Sequence, residues 1–393
     1  MTGRSPGTTA IAQANPNRLL SLDVVRGITI AFMIMVNNNG SEHAWPFMKH
    51  AAWNGMTATD LVFPTFLFVV GVSVVFAFEA RLAKGATRGE LAWQTVRRAA
   101  VLFFLGLMVN GFGEAIARFP NVPFSTWRIY GVLQRIAICY LIAALLYLWD
   151  RKASTKVAVV VVALVGYWIV MQWVPVPGLG VPGRDIPFLD RDANMVAWLD
   201  RQLLPGRLYE GVRDPEGLLS DLPALGTALL GVLTGIWLRS KRTLKIKGAG
   251  LDTGAFALIA LGSIWSIWFP LNKKLWTSSY VLVAAGISLG VLALCFWAIE
   301  VKGWRGKWTW APLVLGSNAI AAYMVSELLP AFFVRWHLEA NGRPSDLFHW
   351  IFVNCFSWVP EPGLASFAYS FCYMALCFLP VWLLYRKKIF IKV

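Results

Sequence analysis

Apolar positions in this sequence form long uninterrupted runs, not the alternation of a half-buried strand or the one-sided stripe of a surface helix. Ten runs have the length needed to cross a bilayer: 20–38, 60–79, 97–115, 128–149, 156–175, 218–238, 253–270, 276–299, 309–330 and 364–385. They predict an all-α fold, a polytopic transmembrane helical bundle of about ten helices. A further run, FHWIFVNCFSW (348–358), is too short to cross and is expected to be interfacial or re-entrant. The centre of the first run, GITIAFMIMV, has only the length of a signal-peptide core. NNNG follows it in place of a small-residue cleavage site, so it reads as a retained helix.

Composition strengthens this picture. Of 393 residues, 57% are hydrophobic and 15% charged, where a soluble domain carries about a quarter charged residues. The net charge of +15 would suggest nucleic acid as a partner in a soluble protein, but here arginine and lysine gather in alternate connections. RSKRTLKIK (239–247) and RKKIFIK (386–392) are the clearest cytoplasmic anchors. With ten crossings, that asymmetry puts both termini in the cytoplasm. Residues 1–17 are then a cytoplasmic tail, and 18–393 a single transmembrane domain. Its one long outside loop, 176–217, is rich in Pro, Gly and acidic residues and reads as a partly ordered cap. No internal repeat is visible. Cys139, Cys295, Cys355, Cys372 and Cys377 lack metal-ligand spacing and read mostly as small apolar packing residues.

Polar groups at membrane depth are costly and tend to line an interior path. Asp23 and Arg26, in LDVVRG, share a face of the first helix at its cytoplasmic start. They read equally as an interfacial ion pair or as ligand contacts. Asn37, Asn38 and Asn39 end the same helix, as a cap or as amide donors. Gln134 and Arg135 lie about seven residues into the fourth run. An arginine at that depth requires an acidic partner such as Asp23, or a bound anion. Asn318 and Glu327 are nine residues apart on the ninth run, with Asn318 expected to hydrogen-bond between helices. The four histidines (His43, His50, His337, His349) all fall in outside segments, without the spacing of a metal site. His50 stands out because Trp53, Asn54 and Asp60 crowd it at the mouth of the second helix. An imidazole there is suited to taking a proton near neutrality.

Several motifs in order resemble one family. LDVVRG leads to MVNNNG, then to KHAAWNGMTATDLVFPTFLFVVGVS, YGVLQRIAICYLIAALLYL, DPEGLLSDLPALGTALLGVLTG, LWTSSYVLVAAG and GSNAIAAYMVSELL. Together they are similar to the heparan-α-glucosaminide N-acetyltransferase family and its bacterial relatives, from about residue 18 to the carboxyl terminus. The LDxxRG opening alone is shared more widely among integral-membrane acyltransferases. The resemblance implies an enzyme that takes acetyl from cytosolic acetyl-CoA and places it on the amino group of a terminal glucosamine across the membrane. It carries the catalytic histidine onto His50 and an asparagine onto Asn37, with Asn38 or Asn39 as alternatives. The additional amino-terminal region of the lysosomal members has no counterpart in this sequence, so the acceptor carried over is a glucosamine-type amino sugar and not heparan sulfate. The implied setting is a multi-pass protein of a bacterial cytoplasmic (inner) membrane.

These readings combine into one expectation. The nucleotide of acetyl-CoA stays at the cytoplasmic mouth, its pantetheine arm reaches through the bundle, and the thioester emerges beside His50. His50 acts as base or as acetyl-carrying nucleophile, Asp60 orients its ring and Asn37 stabilises the oxyanion. Arg135, Gln134, Arg26 and Asp23 are the expected donor-binding residues, and no metal is expected. Partners are the amino-sugar acceptor, acetyl-CoA and membrane lipid, without nucleic acid and with a homodimer left open. A transporter of a small polar or anionic solute remains the alternative, since an intramembrane arginine also suits a solute path.

Overall fold

The computed structural model describes residues 19–118, 121, 123–340 and 343–391; the expected cytoplasmic tail 1–17 lies outside them. Its helices are α1 (Leu20–Asn37), α2 (Val62–Leu82), α3 (Arg88–Arg118), α4 (Val132–Trp149), α5 (Ala153–Trp173), α6 (Met195–Leu203), α7 (Asp221–Arg239), α8 (Leu244–Trp265), α9 (Ser278–Phe296), α10 (Trp310–Ser317), α11 (Ala319–Arg335), α12 (Leu347–Phe356) and α13 (Pro362–Arg386). Among the described residues, nine are long and apolar enough to cross a membrane, and α10 with α11 reaches that length and apolarity as a pair bent by 73°. The protein is thus an all-α polytopic bundle. Its small departure is a hairpin of β1 (His337–Ala340) and β2 (Arg343–Asp346), which precedes the short apolar helix α12.

Successive spans alternate in direction. One end carries the start of α1, the α2–α3, α4–α5, α7–α8 and α9–α10 connections and the end of α13. This end is the basic one. The other carries the loop before α2, the α3–α4 and α8–α9 connections, and the segment 174–220, which folds with α6 into a cap.

α7 is the most buried span, whereas α3, α8 and α13 expose most of their surface. Because lipid is as apolar as leucine, spans associate through close packing, and small residues permit it. A Cβ on Gly71 of α2 would sit 2.0 Å from the carbonyl oxygen of Ala228, and one on Gly231 of α7 2.1 Å from that of Phe68. The α1–α10 crossing is similarly tight: a Cβ on Gly27 would meet the Pro312 oxygen at 1.8 Å, and one on Gly316 the Asp23 oxygen at 2.2 Å. Gly27→Ala must therefore push two backbones apart. It should cost about 1–3 kcal/mol, read as a lower melting midpoint in detergent. An unchanged midpoint would show that the crossing is loose.

The ninth run is not one straight helix. Asn318 interrupts it, with φ −130° and ψ 43°. Its Nδ2 donates to the Ile389 carbonyl at 3.1 Å and its Oδ1 accepts from the Ile391 amide at 2.8 Å. The buried amide thus pairs with the backbone of the carboxyl-terminal segment, where an interhelical bond was expected, and ties that segment to the break.

Candidate active site

The segment before α2 is irregular and heavily pinned. Gly55 adopts φ +106°, a conformation glycine takes without strain, and its amide donates to the Leu271 carbonyl at 2.8 Å. Asn272 donates to Asn54 Oδ1 at 3.1 Å, and Trp53 Nε1 donates to the Leu189 carbonyl of the cap at 2.8 Å. Arg213, also of the cap, lies over the Trp53 ring at 5.0 Å. The loop is therefore fixed by both the cap and the α8–α9 connection.

Asp60 lies in a one-turn 3-10 helix, Thr59–Leu61, that leads into α2, and it is 1% exposed. Its Oδ2 accepts from the amides of Ala51 (3.0 Å) and Thr57 (2.9 Å) and from the Thr57 hydroxyl (3.1 Å). A carboxyl group surrounded by donors in this way is held as the acceptor-only carboxylate. The remaining oxygen, Oδ1, lies 2.6 Å from His50 Nδ1. The proton of that bond therefore belongs to His50 Nδ1, which donates it to Asp60. Nε2 is left as the basic nitrogen. The His50 side chain is 46% exposed while its partner is buried, so the imidazole is oriented from behind and open in front.

Behind this pair runs a buried chain of contacts. The Tyr280 hydroxyl donates to the Asp60 carbonyl at 2.5 Å. Tyr280 meets Trp276 edge-on at 5.5 Å, and Trp276 meets Phe63 edge-on at 4.9 Å. The guanidinium of Arg135 stacks over Trp276 at 5.0 Å. Trp276 is fully buried at φ 54°, a strained conformation for a bulky residue that its surroundings must enforce.

Arg135 is completely buried, and its acidic partner is Asp221, not Asp23. Nε donates to Asp221 Oδ1 at 2.8 Å, and Nη2 donates to the Gly217 carbonyl at 3.0 Å and to the Ser220 hydroxyl. Its depth also differs from the sequence expectation. Residues 128–131 are not helical, because Arg128 is held by Asp214 and Glu216 of the cap, so α4 begins at Val132. Arg135 therefore sits in the first turn of α4, at the same end as His50. Gln134 beside it is fully buried, packed at Gly106 of α3. Among the described residues, neither its amide atoms nor Arg135 Nη1 has a hydrogen-bond partner.

The three asparagines separate cleanly. Asn38 donates to the Ile34 carbonyl at 2.9 Å, and Asn39 donates to those of Val36 and Met48 at 3.2 and 2.9 Å. Their amides are occupied by backbone. Asn37 is exposed, and its Nδ2 reaches Glu327 Oε1 of α11 at 3.4 Å. Glu327 and Asn37 thus meet at the end of the bundle that holds His50. Asp23 and Arg26 lie toward the other end of α1, where Arg26 donates to Asp23 at 2.9 Å, to the Ser73 hydroxyl at 2.7 Å and to the Gly316 carbonyl at 3.4 Å. The four residues expected to bind the donor therefore fall into two pairs. Arg26 and Asn37, eleven residues apart on α1, are separated by about 16 Å along its axis.

Sequence reading missed the charge cluster that seats the cap. Arg128 forms two bonds to Asp214 (2.9 and 2.6 Å) and one to Glu216 (2.6 Å), and Lys273 approaches Glu216 at 3.8 Å. Burial raises Glu216, but Lys273 and Arg128 outweigh it and bring the carboxyl down to about 2. Asp200, fully buried and accepting the Asp214 and Leu218 amides, is pushed by burial to about 6. The acidic residues of 176–217 and the arginine that opens the fourth run were the available signal, but their pairing is non-local. Among the described residues, no group of three or more His, Cys, Asp or Glu side chains is arranged to hold a metal.

Residues 18–271 match the sequence model of the family described as heparan-alpha-glucosaminide N-acetyltransferase, catalytic. The matched stretch contains Asn37, His50, Asp60, Arg135 and Asp221. The chain is similar to heparan-alpha-glucosaminide N-acetyltransferase of Homo sapiens, at 28% identity over 97% of this chain and 60% of that protein. It is also similar to the protein of that name from Mus musculus, at 27% identity over 97% of this chain and 61% of the relative. The chain thus spans about 60% of the length of the curated relatives it matches. It belongs to the heparan-alpha-glucosaminide N-acetyltransferase catalytic family.

Proposed function

We propose that the protein is a membrane-embedded acetyltransferase that moves acetyl from cytosolic acetyl-CoA to the amino group of a glucosamine-type sugar on the other side of the membrane. The observation that carries this reading is the His50–Asp60 pair at 2.6 Å, half open to one end of a bundle of this family. In the proposed reaction the sugar nitrogen attacks the thioester carbonyl and His50 Nε2 takes its proton. Asp60, hydrogen-bonded to Nδ1–H, stabilises the imidazolium that forms. The tetrahedral intermediate places negative charge on the former carbonyl oxygen, and the Asn37 amide is the donor assigned to it. Collapse of the intermediate breaks the carbon–sulfur bond, and the leaving thiolate recovers the proton from His50.

The donor enters from the basic end. Asp23 and Arg26 lie toward that end of α1, and Gln134 and Arg135 stand at the thioester end, where the unpartnered Gln134 amide and Arg135 Nη1 remain available to a ligand. The thin arm of the donor then follows α1 between them. The setting fits the inner membrane of a bacterium, with the cap on the outer face.

Sidedness tests this reading. In sealed vesicles, donor on the face bearing residue 245 and glucosamine on the face bearing residue 194 should give N-acetylglucosamine, and the reverse arrangement none. Product only when both substrates share a face would remove the through-membrane route. Labelled donor added without acceptor distinguishes the direct reaction, which leaves the protein unlabelled, from transfer through an acetylated His50.

A further inference from the structure

At the basic end, far from His50, a cavity of 810 Å³ opens between the last turn of α2 and the first turns of α3. Arg81, Lys84, Arg97 and Arg98 line it, together with Gln94 and Glu90. Four cations face one carboxylate, and that carboxylate is already occupied. Glu90 accepts the Thr87 amide at 3.0 Å while the Thr87 hydroxyl accepts the Glu90 amide at 3.2 Å, a reciprocal cap that starts α3. Arg81 turns its guanidinium to the Gln94 side chain. Among the described residues, Lys84, Arg97 and Arg98 have no carboxylate within ion-pair distance. Topology signals account for cations in the connection itself. Arg97 and Arg98, in the third turn of α3 at the start of its apolar run, go further: they face the same enclosed space as the end of α2.

We propose that this cavity binds the phosphate headgroup of an anionic membrane phospholipid. Two observations favour a lipid over the phosphates of a soluble nucleotide. First, α3 is the most exposed span, and Val101, Phe104 (60% exposed) and Met108 continue from the cavity along its surface into the apolar run, a face suited to acyl chains. Second, Arg81 is twenty-one residues along the chain from Asp60, about 31 Å of helix. That is roughly twice the Arg26–Asn37 separation, so a donor anchored here by its phosphates is poorly placed to bring its thioester to His50. Basic pockets between spans on the cytoplasmic side are suited to anionic headgroups because cations there face the negatively charged leaflet. Consecutive helices held apart around the cavity follow from the packing, since α2 packs chiefly on α7 and α3 on α4.

Native mass spectrometry of the purified full-length protein, with phosphatidylglycerol or phosphatidylcholine supplied at equal amounts, tests the site. The wild type should retain phosphatidylglycerol in preference, and its melting midpoint should rise with that lipid alone. Arg97→Gln with Arg98→Gln, and separately Lys84→Gln, should reduce this retention by about tenfold or more for the double variant and less for the single. Both variants should keep the wild-type midpoint in phosphatidylcholine, which separates loss of the site from loss of the fold. Equal retention by wild type and variants would overturn the proposal. So would displacement of the lipid by inorganic phosphate or adenosine 3′,5′-bisphosphate at equal concentration, which would assign the cavity to a soluble phosphate. Glucosamine acetylation by the variants is read in parallel: an unchanged KM for acetyl-CoA is expected, and a raised KM without any lipid effect would make the cavity the donor's.

Discussion

His50→Ala should reduce acetyl transfer by about 10²- to 10⁴-fold, the range for loss of a general base, and leave the melting midpoint near that of the wild type. The expectation of a normal fold rests on exposure: the side chain is 46% exposed, and among the described residues its hydrogen bond is to Asp60. Removing it leaves Asp60 still bonded to the Ala51 and Thr57 amides and the Thr57 hydroxyl, so no buried charge is stripped of its donors. Asp60→Asn should cost turnover by a different route. An amide there must present either an oxygen or an NH₂ to Nδ1, and in the second case Nε2 carries the proton and cannot act as base. The two variants are informative together. A His50→Ala protein that keeps more than half of wild-type turnover removes the imidazole from the reaction, whatever Asp60→Asn does. Effects that multiply in the double variant would show that Asp60 acts without His50, because a residue that works only through its partner adds little once the partner is gone.

The legibility of the fold in the sequence follows from what each feature depends on. Spans depend on local hydropathy: nine of the ten runs match helices long enough to cross, in the expected order, and the run 309–330 is the bent pair of α10 and α11. The ends of the spans depend on partners distant in sequence. The fourth apolar run starts at 128, but Arg128 belongs to Asp214 and Glu216, and this moves Arg135 from mid-membrane to the first turn of α4. The bend at Asn318 has the same origin, since its amide is satisfied by residues 389 and 391. At the candidate site, His50 and Asp60 stood out because polar residues at the lip of an apolar run are unusual. The difference between Asn37 and its neighbours Asn38 and Asn39 needed coordinates, because which amides bond local carbonyls depends on how the end of α1 folds. Tyr280 and Trp276 gave no signal, since aromatic residues in a membrane protein read first as packing.

Arg135→Met should destabilise the protein by about 3–5 kcal/mol, the cost of breaking a buried pair from one side. The arginine is fully buried and the Asp221 side chain is 10% exposed, so the substitution strands a carboxylate that solvent hardly reaches. Tyr130 still donates to Asp221, but one hydroxyl does not replace a guanidinium. The damage should also travel to the site. Without the cation over its face, Trp276 loses a stacking partner, and Trp276 supports Tyr280, which holds the Asp60 backbone. Adding Asp221→Asn to Arg135→Met removes the stranded charge and should recover much of the lost stability, because paired residues are not additive. Adding Asp23→Asn instead should recover nothing, since Asp23 is bonded to Arg26. Recovery through Asp23, or none through Asp221, would contradict the pairing seen here. Acetyl-CoA affinity then separates the remaining roles of Arg135. If Nη1 contacts the donor, the double variant regains stability but keeps a raised KM; if the arginine only supports Trp276, stability and KM recover together.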